Sequence, residues 1–118
     1  AEIAGLPGDY SPPTGALFLA TDIDGKAAGC VAIHRLGLLN DAEMKRLFVS
    51  PRYRRFGLGK ALVSRALESA KQMGFDRLLL DTMPDMTAAI AAYESMGFQK
   101  IDPYWDNVLP VVYYGKTL

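Results

Sequence analysis

The chain has 118 residues, of which 50% are hydrophobic and 22% charged, and this size suits one small domain with a single core. Thirteen basic and thirteen acidic residues give a net charge of zero, which argues against a protein that coats nucleic acid or an anionic membrane by bulk charge. The single cysteine, Cys30, excludes an internal disulfide and favours a reducing, cytoplasmic setting.

The first fifteen residues predict an irregular lead-in. Proline and glycine are frequent between positions 7 and 15, and residues 1–6 are typical of the last turn of a helix. Because the chain also lacks an initiator Met, we expect a segment that precedes it. The apolar runs are far shorter than the about 20 residues that a membrane-spanning helix needs, so the whole of 1–118 is predicted to be one domain.

Three apolar stretches with short connections predict a meander of antiparallel strands: Ala16–Thr21, Ala27–Arg35 and Glu43–Val49. The first connection, Asp22–Lys26, contains Gly25, which adopts a positive φ at little cost and therefore favours a tight turn.

The second half alternates helices and strands. Apolar side chains recur at helical spacing from Gly59 to Met73, and Asp85 is a candidate cap for a second helix over Met86–Met96. Each helix ends in Met-Gly-Phe, which is typical of a Schellman stop. Further strands are predicted at Arg77–Leu80, Gln99–Ile101 and Val111–Lys116. These elements indicate an α+β domain with a mixed, mostly antiparallel sheet.

The stretch between the third strand and the first helix, Ser50–Ala61, is a candidate anion site. Gly57 and Gly59 lack Cβ atoms, and the first amides of a helix have no partner within it. Residues 44–67 contain seven of the thirteen basic residues and no acidic residue, which favours a polyanionic small ligand. The alternative is a glycine-rich turn with a solvated basic rim. Neither the Walker loop nor the dinucleotide fingerprint fits, because Ala61 and Leu62 stand where those motifs need other residues.

Two blocks resemble the GNAT superfamily of N-acetyltransferases. Arg54-x-x-Gly57-x-Gly59, after a strand that ends in Leu47-Phe48-Val49, is similar to the family's acetyl-CoA motif. The segment Ala89-x-x-x-Tyr93-x-x-x-Gly97-Phe98 is similar to a second block of the family. The resemblance covers residues 16–118 and implies a V-shaped gap between the third strand and the parallel strand at Arg77–Thr82.

The resemblance implies a role for each matching residue. The backbone amides after Arg54, from Arg55 through Phe56, Gly57, Leu58 and Gly59 to Lys60, are expected to hold the pyrophosphate. The strand Leu47–Val49, including Phe48, is expected to bind the pantetheine arm, with Tyr93 near the thioester sulfur and Ala89 as a further cofactor-binding residue. Tyr93 is the candidate proton donor to the leaving thiolate. Glu43 is the candidate base, acting through water, because an alkyl amine with a pKa of about 10 must lose a proton before it attacks.

Three departures from the family pattern stand out. Arg55 and Met86 occupy positions where members often have glycine and asparagine, and the usual N-terminal strand and helices that build the acceptor pocket do not precede the first strand.

Other residues favour structural roles. Cys30 and His34 lie four apart on one strand, about 13 Å at about 3.3 Å per residue, so we predict packing residues and no Cys–His dyad. Asp81 and Asp85 are predicted to cap or turn the chain rather than to bind metal. The aromatic pairs Tyr104-Trp105 and Tyr113-Tyr114 fit the core and the acceptor side of the cleft equally well.

The sequence therefore predicts an acetyl-CoA-dependent N-acetyltransferase that needs no metal and acts by direct transfer on a small-molecule or peptide amine. We expect no nucleic-acid or membrane partner, and a homodimer stays open. The alternatives are a non-catalytic acyl-CoA-binding or sensing module and a self-association domain.

Overall fold

The computed structural model describes residues 15–37, 39–53, 57–104 and 109–118. Six strands and two helices follow in the predicted order: β1 Gly15–Thr21, β2 Ala27–Leu36, β3 Asp41–Val49, α1 Leu58–Gln72, β4 Arg77–Thr82, α2 Thr87–Ser95, β5 Gln99–Ile101 and β6 Val112–Thr117. A short 3-10 turn, Pro51–Tyr53, follows β3. Most of the predicted lead-in lies outside the described residues, and its last residue, Gly15, begins β1.

The strands form one sheet in the order β1-β2-β3-β4-β6-β5. The first three make the predicted antiparallel meander, and Gly25 turns between β1 and β2 with φ of 80°. Within the described ranges, β3 and β4 are the one parallel pair, and β6 runs antiparallel to both β4 and β5. The mixed, mostly antiparallel α+β sheet is therefore confirmed.

Both helices end as the Met-Gly-Phe triplets predict. Gly74 has φ of 86°, and the amide of Phe75 donates to the Ala70 carbonyl at 3.1 Å. Gly97 has φ of 93°, and the amide of Phe98 donates to the Tyr93 carbonyl at 3.0 Å. Both phenylalanines are buried, so each helix stop also anchors an aromatic ring in the core.

The start of α2 corrects one prediction. Asp85 does not cap this helix, since the N-cap residue is Met86 and no side chain accepts a hydrogen bond there. The amide of Met86 donates instead to the Met83 carbonyl at 3.0 Å, and that of Thr87 to the backbone carbonyl of Asp85 at 2.9 Å. Because these backbone hydrogen bonds form a turn that includes Asp85, the helix begins only at Thr87.

The two helices share one face of the sheet, here called the helix face. Side chains alternate along each strand, so every second residue points to it. The buried cluster there joins sheet, helix and loop residues: Val31, Ile33, Ala42, Met44, Leu62, Val63, Ala66, Ala70, Phe75, Leu78, Leu80, Tyr93, Phe98 and Tyr114. The intervening residues of β3 and β4, including Glu43 and Asp81, point to the opposite face, which is where the polar groups of the central strands collect.

Candidate active site

A cleft opens where the two central parallel strands separate. β3 and β4 pair only from Asp41 to Glu43 on one side and from Arg77 to Leu79 on the other. Beyond these pairs the strands diverge and leave a cavity of about 660 Å³. Its walls combine the end of β3, the end of β4, the start of α1 and one side of α2: Met44, Lys45, Arg46, Leu47, Phe48, Val49, Gly59, Leu80, Asp81, Thr82, Met86, Ala88, Ala89 and Tyr93. The predicted V-shaped gap is therefore confirmed.

A β-bulge in β3 accompanies this opening. The register against β2 shifts between Cys30 and Ala32, and Arg46 has φ of 58°, the one positive φ of a non-glycine residue in the described ranges. The thiol of Cys30 donates a hydrogen bond to the Arg46 carbonyl at 3.2 Å. Because a bulge bends its strand and adds twist, it changes the direction of β3 at the point where β3 separates from β4. No local feature of the sequence indicates this bulge, since arginine rarely adopts a left-handed conformation.

The start of α1 reaches the cleft with free space beside it. Gly57 is the N-cap with φ of 72°, no side chain caps the helix, and its first turn holds no acidic residue. The first intrahelical bond runs from the Ala61 amide to the Gly57 carbonyl, so the three amides before Ala61 have no partner within the helix. A Cβ built on Gly59 would meet only Val49 Cγ2, at 3.7 Å, and one on Gly57 would meet nothing within 4 Å. A bound anion can therefore approach this backbone closely.

The structure brings most of the predicted cofactor residues to this place. Six of them line the main cleft: Leu47, Phe48, Val49, Gly59, Ala89 and Tyr93. Gly57 and Lys60 line an adjoining cavity of about 330 Å³ that shares Leu47, Gly59, Ala89 and Tyr93 with the cleft. The Leu58 side chain packs against the core. Its backbone amide is the group that the sequence analysis expects to bind the pyrophosphate. Arg54, Arg55 and Phe56 lie outside the described residues.

Tyr93 enters the cleft from α2. The residue is 7% exposed, and its ring packs edge to face with Phe98 at 5.8 Å between centroids. Burial raises the pKa of the Tyr93 phenol above its usual value of 10.0. The hydroxyl therefore stays protonated at neutral pH, as a proton donor must.

Glu43 lies next to the cleft in a closed set of hydrogen bonds. It is 2% exposed, and its Oε1 lies 2.9 Å from His34 Nε2 and 3.7 Å from Lys45 Nζ. The hydroxyl of Tyr104 donates to Oε2 at 2.7 Å. Burial raises the pKa of Tyr104 most, and the hydrogen bond to Glu43 raises it further. Two hydrogen-bond partners, His34 and Tyr104, and the ammonium group of Lys45 thus surround the Glu43 carboxylate.

His34 corrects a prediction, and the sequence held a signal for it. The imidazole does not only pack: it hydrogen-bonds Glu43, because the two residues are cross-strand partners. They stand equally far from the centre of the turn between β2 and β3, and this symmetry identifies the pair once the hairpin is assumed. Cys30 and His34 lie four residues apart on β2 and contact different residues, Arg46 and Glu43.

The aromatic pairs divide between the two faces. Tyr114 lies in the core on the helix face, and its hydroxyl donates to Glu94 Oε2 at 3.1 Å. Tyr104 and Tyr113 meet edge to face at 5.0 Å on the opposite face. Trp105 lies outside the described residues.

Asp81 is neither a turn nor a capping residue. It belongs to β4, pairs with Tyr113 of β6 and lines the cleft. Sequence analysis missed it as a site residue, because an acidic residue at the end of an apolar strand is also typical of the turn that follows. Nothing local in the sequence shows that β3 diverges from β4 beside it.

The chain is similar to known N-acetyltransferases in both sequence and fold. The model of the Acetyltransferase (GNAT) family matches residues 6–98. An uncharacterised N-acetyltransferase of Schizosaccharomyces pombe is 38% identical over 113 residues, which are 96% of this chain and 69% of that protein. The N-acetylaspartate synthetase of Danio rerio is 31% identical over 109 residues, 92% of this chain but only 39% of the relative. An acetyltransferase from Streptococcus agalactiae superposes with a TM-score of 0.83 and 27% identity, covering 95% of this chain and 72% of that one.

In the ranges that the structure describes, no helix has the length and apolar character needed to cross a membrane.

Proposed function

The chain belongs to the GNAT acetyltransferase family, and on that premise we propose that it transfers the acetyl group of acetyl-CoA directly to a primary amine within a ternary complex. The observation that carries this proposal is the cleft itself. The splayed end of β3, the uncapped start of α1 and Tyr93 line two adjoining cavities that share several residues.

The residues present fit an acyl-CoA. The amides that have no partner within the helix, together with the dipole at the start of α1, favour the negative charge of a pyrophosphate. Beyond Glu43, the edge of β3 no longer pairs with β4, so it can take an extended pantetheine arm much as a sheet takes a further strand. Because Gly59 has no Cβ, the cofactor can approach the backbone at the start of α1 closely. When bound, the cofactor supplies an activated thioester.

The chain's own groups then serve the proton transfers. A backbone amide of Leu47 or Val49 is the proposed donor to the thioester oxygen as negative charge develops there. Tyr93 is the proposed proton donor to the leaving thiolate. A thiol has a pKa of about 8.5, below that of the phenol, so this transfer is uphill by itself and is completed because the proton that the nitrogen loses on acylation restores the phenol. The sequence assigns proton uptake from the amine to Glu43 through water.

The acceptor is tested with a panel, because the family spans many amines. The relative from Danio rerio is named for N-acetylaspartate, so the panel includes aspartate beside other amino acids, polyamines and peptides with a free amino terminus. Thiol release from acetyl-CoA is followed for wild type and for Tyr93→Phe. Turnover in wild type that falls at least about tenfold in Tyr93→Phe, with CoA affinity retained, supports the proposal.

The same experiment separates the alternatives. Tight CoA binding without turnover on any amine favours an acyl-CoA-binding module. CoA at about 100 times its dissociation constant should stabilise a true binder by about 2.7 kcal/mol, so an unmoved melting curve favours a self-association domain.

A further inference from the structure

We propose that the hydrogen bond between Tyr53 and Asp22 holds in place the chain segment that binds the cofactor pyrophosphate, which makes both side chains positioning residues for acyl-CoA. The inference rests on the proposed acetyltransferase function and adds to it two residues outside the cleft. Both lie apart from the described residues that line the cleft and the adjoining cavity. Each therefore acts through the backbone that it holds.

The first observation is a short hydrogen bond between two segments that are far apart in the sequence. The phenol of Tyr53, at the end of the 3-10 turn after β3, donates to Asp22 Oδ2 at 2.5 Å. Asp22 directly follows β1, so the two residues are 31 positions apart. Both residues are half-buried. A charge-assisted bond of this length fixes the two segments against each other.

The second observation is that Asp22 is held by its own turn. Its Oδ1 accepts hydrogen bonds from the amides of Asp24 and Lys26 at 2.9 and 3.0 Å. The amide of Asp22 donates to the Lys26 carbonyl, and the amide of Gly25 donates to the Asp22 carbonyl, each at 2.9 Å. Because one carboxylate oxygen serves the turn, the direction of the other is fixed. The turn is therefore a rigid support, and the Tyr53 hydroxyl reaches it.

The pKa values of both partners agree with this bond. The hydrogen bond from Tyr53 is the main reason that the pKa of Asp22 lies below its usual 3.8. The same bond is the main reason that the pKa of Tyr53 lies above its usual 10.0. Near neutral pH the carboxylate is therefore ionised and the phenol keeps its proton, so the bond persists across the neutral range.

The place of Tyr53 in the chain gives the bond its role. Residues 54–57 connect Tyr53 to α1, and they carry much of the expected pyrophosphate site. On the far side of this connection, the Leu58 side chain anchors the start of α1 in the core. On the near side, the amide of Ser50 donates to the Ala28 carbonyl at 2.7 Å, which ties the end of β3 to β2. The Tyr53 side chain adds the anchor that lies nearest to the connection on this side.

A fixed connection lowers the free-energy cost of binding. A pyrophosphate that meets amides already in place does not have to order the backbone that carries them. Loss of the bond between Tyr53 and Asp22 moves this ordering cost to the binding step. In the proposed complex the reacting atoms lie at the other end of the cofactor, near Tyr93. The transfer step should therefore proceed at its usual rate once the cofactor is bound.

The test compares Tyr53→Phe and Asp22→Ser with wild type in the full chain. Phenylalanine keeps the ring and removes the donor, whereas serine keeps an acceptor for the turn but is too short for Tyr53. In calorimetric titrations the dissociation constant for CoA should rise about five- to tenfold in each variant, because binding must now order the connection. In the thiol-release assay the KM for acetyl-CoA should rise by a similar factor, with kcat within about twofold of wild type.

A double variant and two matched controls exclude a general loss of stability as the cause. Tyr53→Phe with Asp22→Ser should bind CoA no more weakly than Tyr53→Phe alone, because both changes remove the same bond. Asp24→Ser is the same change at an exposed residue of the same turn. Tyr114→Phe removes a different phenol, which donates to Glu94. Both controls should bind CoA as wild type does, whatever the change in melting temperature.

Each outcome decides. Weaker CoA binding with unchanged kcat in both single variants, and no further loss in the double variant, supports the inference. Wild-type CoA affinity in either single variant overturns it, as do additive losses in the double variant, a fall in kcat with unchanged KM, or equal losses in the controls. A wild type that binds no CoA ends the proposed function itself, and this inference with it.

Discussion

Replacing Gly59 by alanine should separate the stability of the protein from its affinity for CoA. Gly59 is the second residue of α1 and is absent from the residues with positive φ, so alanine fits its backbone. The added methyl would lie 3.7 Å from Val49 Cγ2, an ordinary contact. Alanine in place of glycine inside a helix gains about 0.5–1 kcal/mol, which for a domain of this size raises the melting temperature by about 2–4 °C.

The same methyl should weaken CoA binding. It would stand on the floor of the cleft between α1 and the end of β3, where the account brings the pyrophosphate against the helix amides. We expect the dissociation constant to rise at least tenfold, which is about 1.4 kcal/mol. Thermal unfolding and calorimetric titration with CoA measure the two effects on the same samples.

Two neighbouring variants serve as controls. Ser64→Ala is an exposed change on the same helix, and it should raise the melting temperature slightly without altering CoA affinity. Gly57→Ala should lower stability by about 1–2 kcal/mol, because alanine is strained at φ of 72°. If Gly59→Ala becomes more stable yet binds CoA as wild type does, the pyrophosphate does not lie on this backbone.

Three further predictions follow from the buried polar groups. Tyr93→Phe should keep the fold, with a stability change below about 1 kcal/mol, because the ring that packs on Phe98 remains; thermal unfolding checks this beside the turnover assay. Glu43→Gln should lower the free energy of unfolding by about 1–3 kcal/mol, because the glutamine NH2 group cannot accept the hydrogen bond from either His34 or Tyr104 that one carboxylate oxygen accepts. Denaturant titrations measure this change, and an unchanged midpoint would contradict these hydrogen bonds. Burial raises the pKa of Tyr93, Tyr104 and Tyr114 above the usual 10.0. Above about pH 10 the unfolded chain therefore loses phenolic protons that the folded chain keeps, so stability falls with rising pH, and Tyr104→Phe should flatten that fall in urea titrations.

The sequence predicts most of the architecture because its local signals agree with the fold. Gly25 predicts the first hairpin, and the triplets Met73–Phe75 and Met96–Phe98 predict both helix stops, which depend only on neighbouring backbone atoms. The cap at Asp85 failed because a competing turn of backbone hydrogen bonds occupies that position. A prediction from local sequence is reliable where only one backbone conformation suits the residues. It is less reliable where two conformations suit them, as at Asp85.

The site divides along the same line. Motif spacing leads to Gly57, Gly59 and Tyr93, which line the cavities, because each has a fixed position at the start or on the side of a helix. The bulge at Arg46 and the place of Asp81 in the cleft could not be predicted, since both depend on how distant strands meet. The predictions of a single domain, a cytoplasmic setting and a dimer have no test in the fold and stay predictions.

An amide NMR titration of the isotopically labelled chain with CoA tests the proposed cofactor site residue by residue. We expect the largest shifts on Leu58, Gly59 and Lys60 at the start of α1 and on Leu47 and Val49 at the splayed end of β3. Saturation with CoA that leaves these amides unmoved, while others on a different face respond, would contradict it.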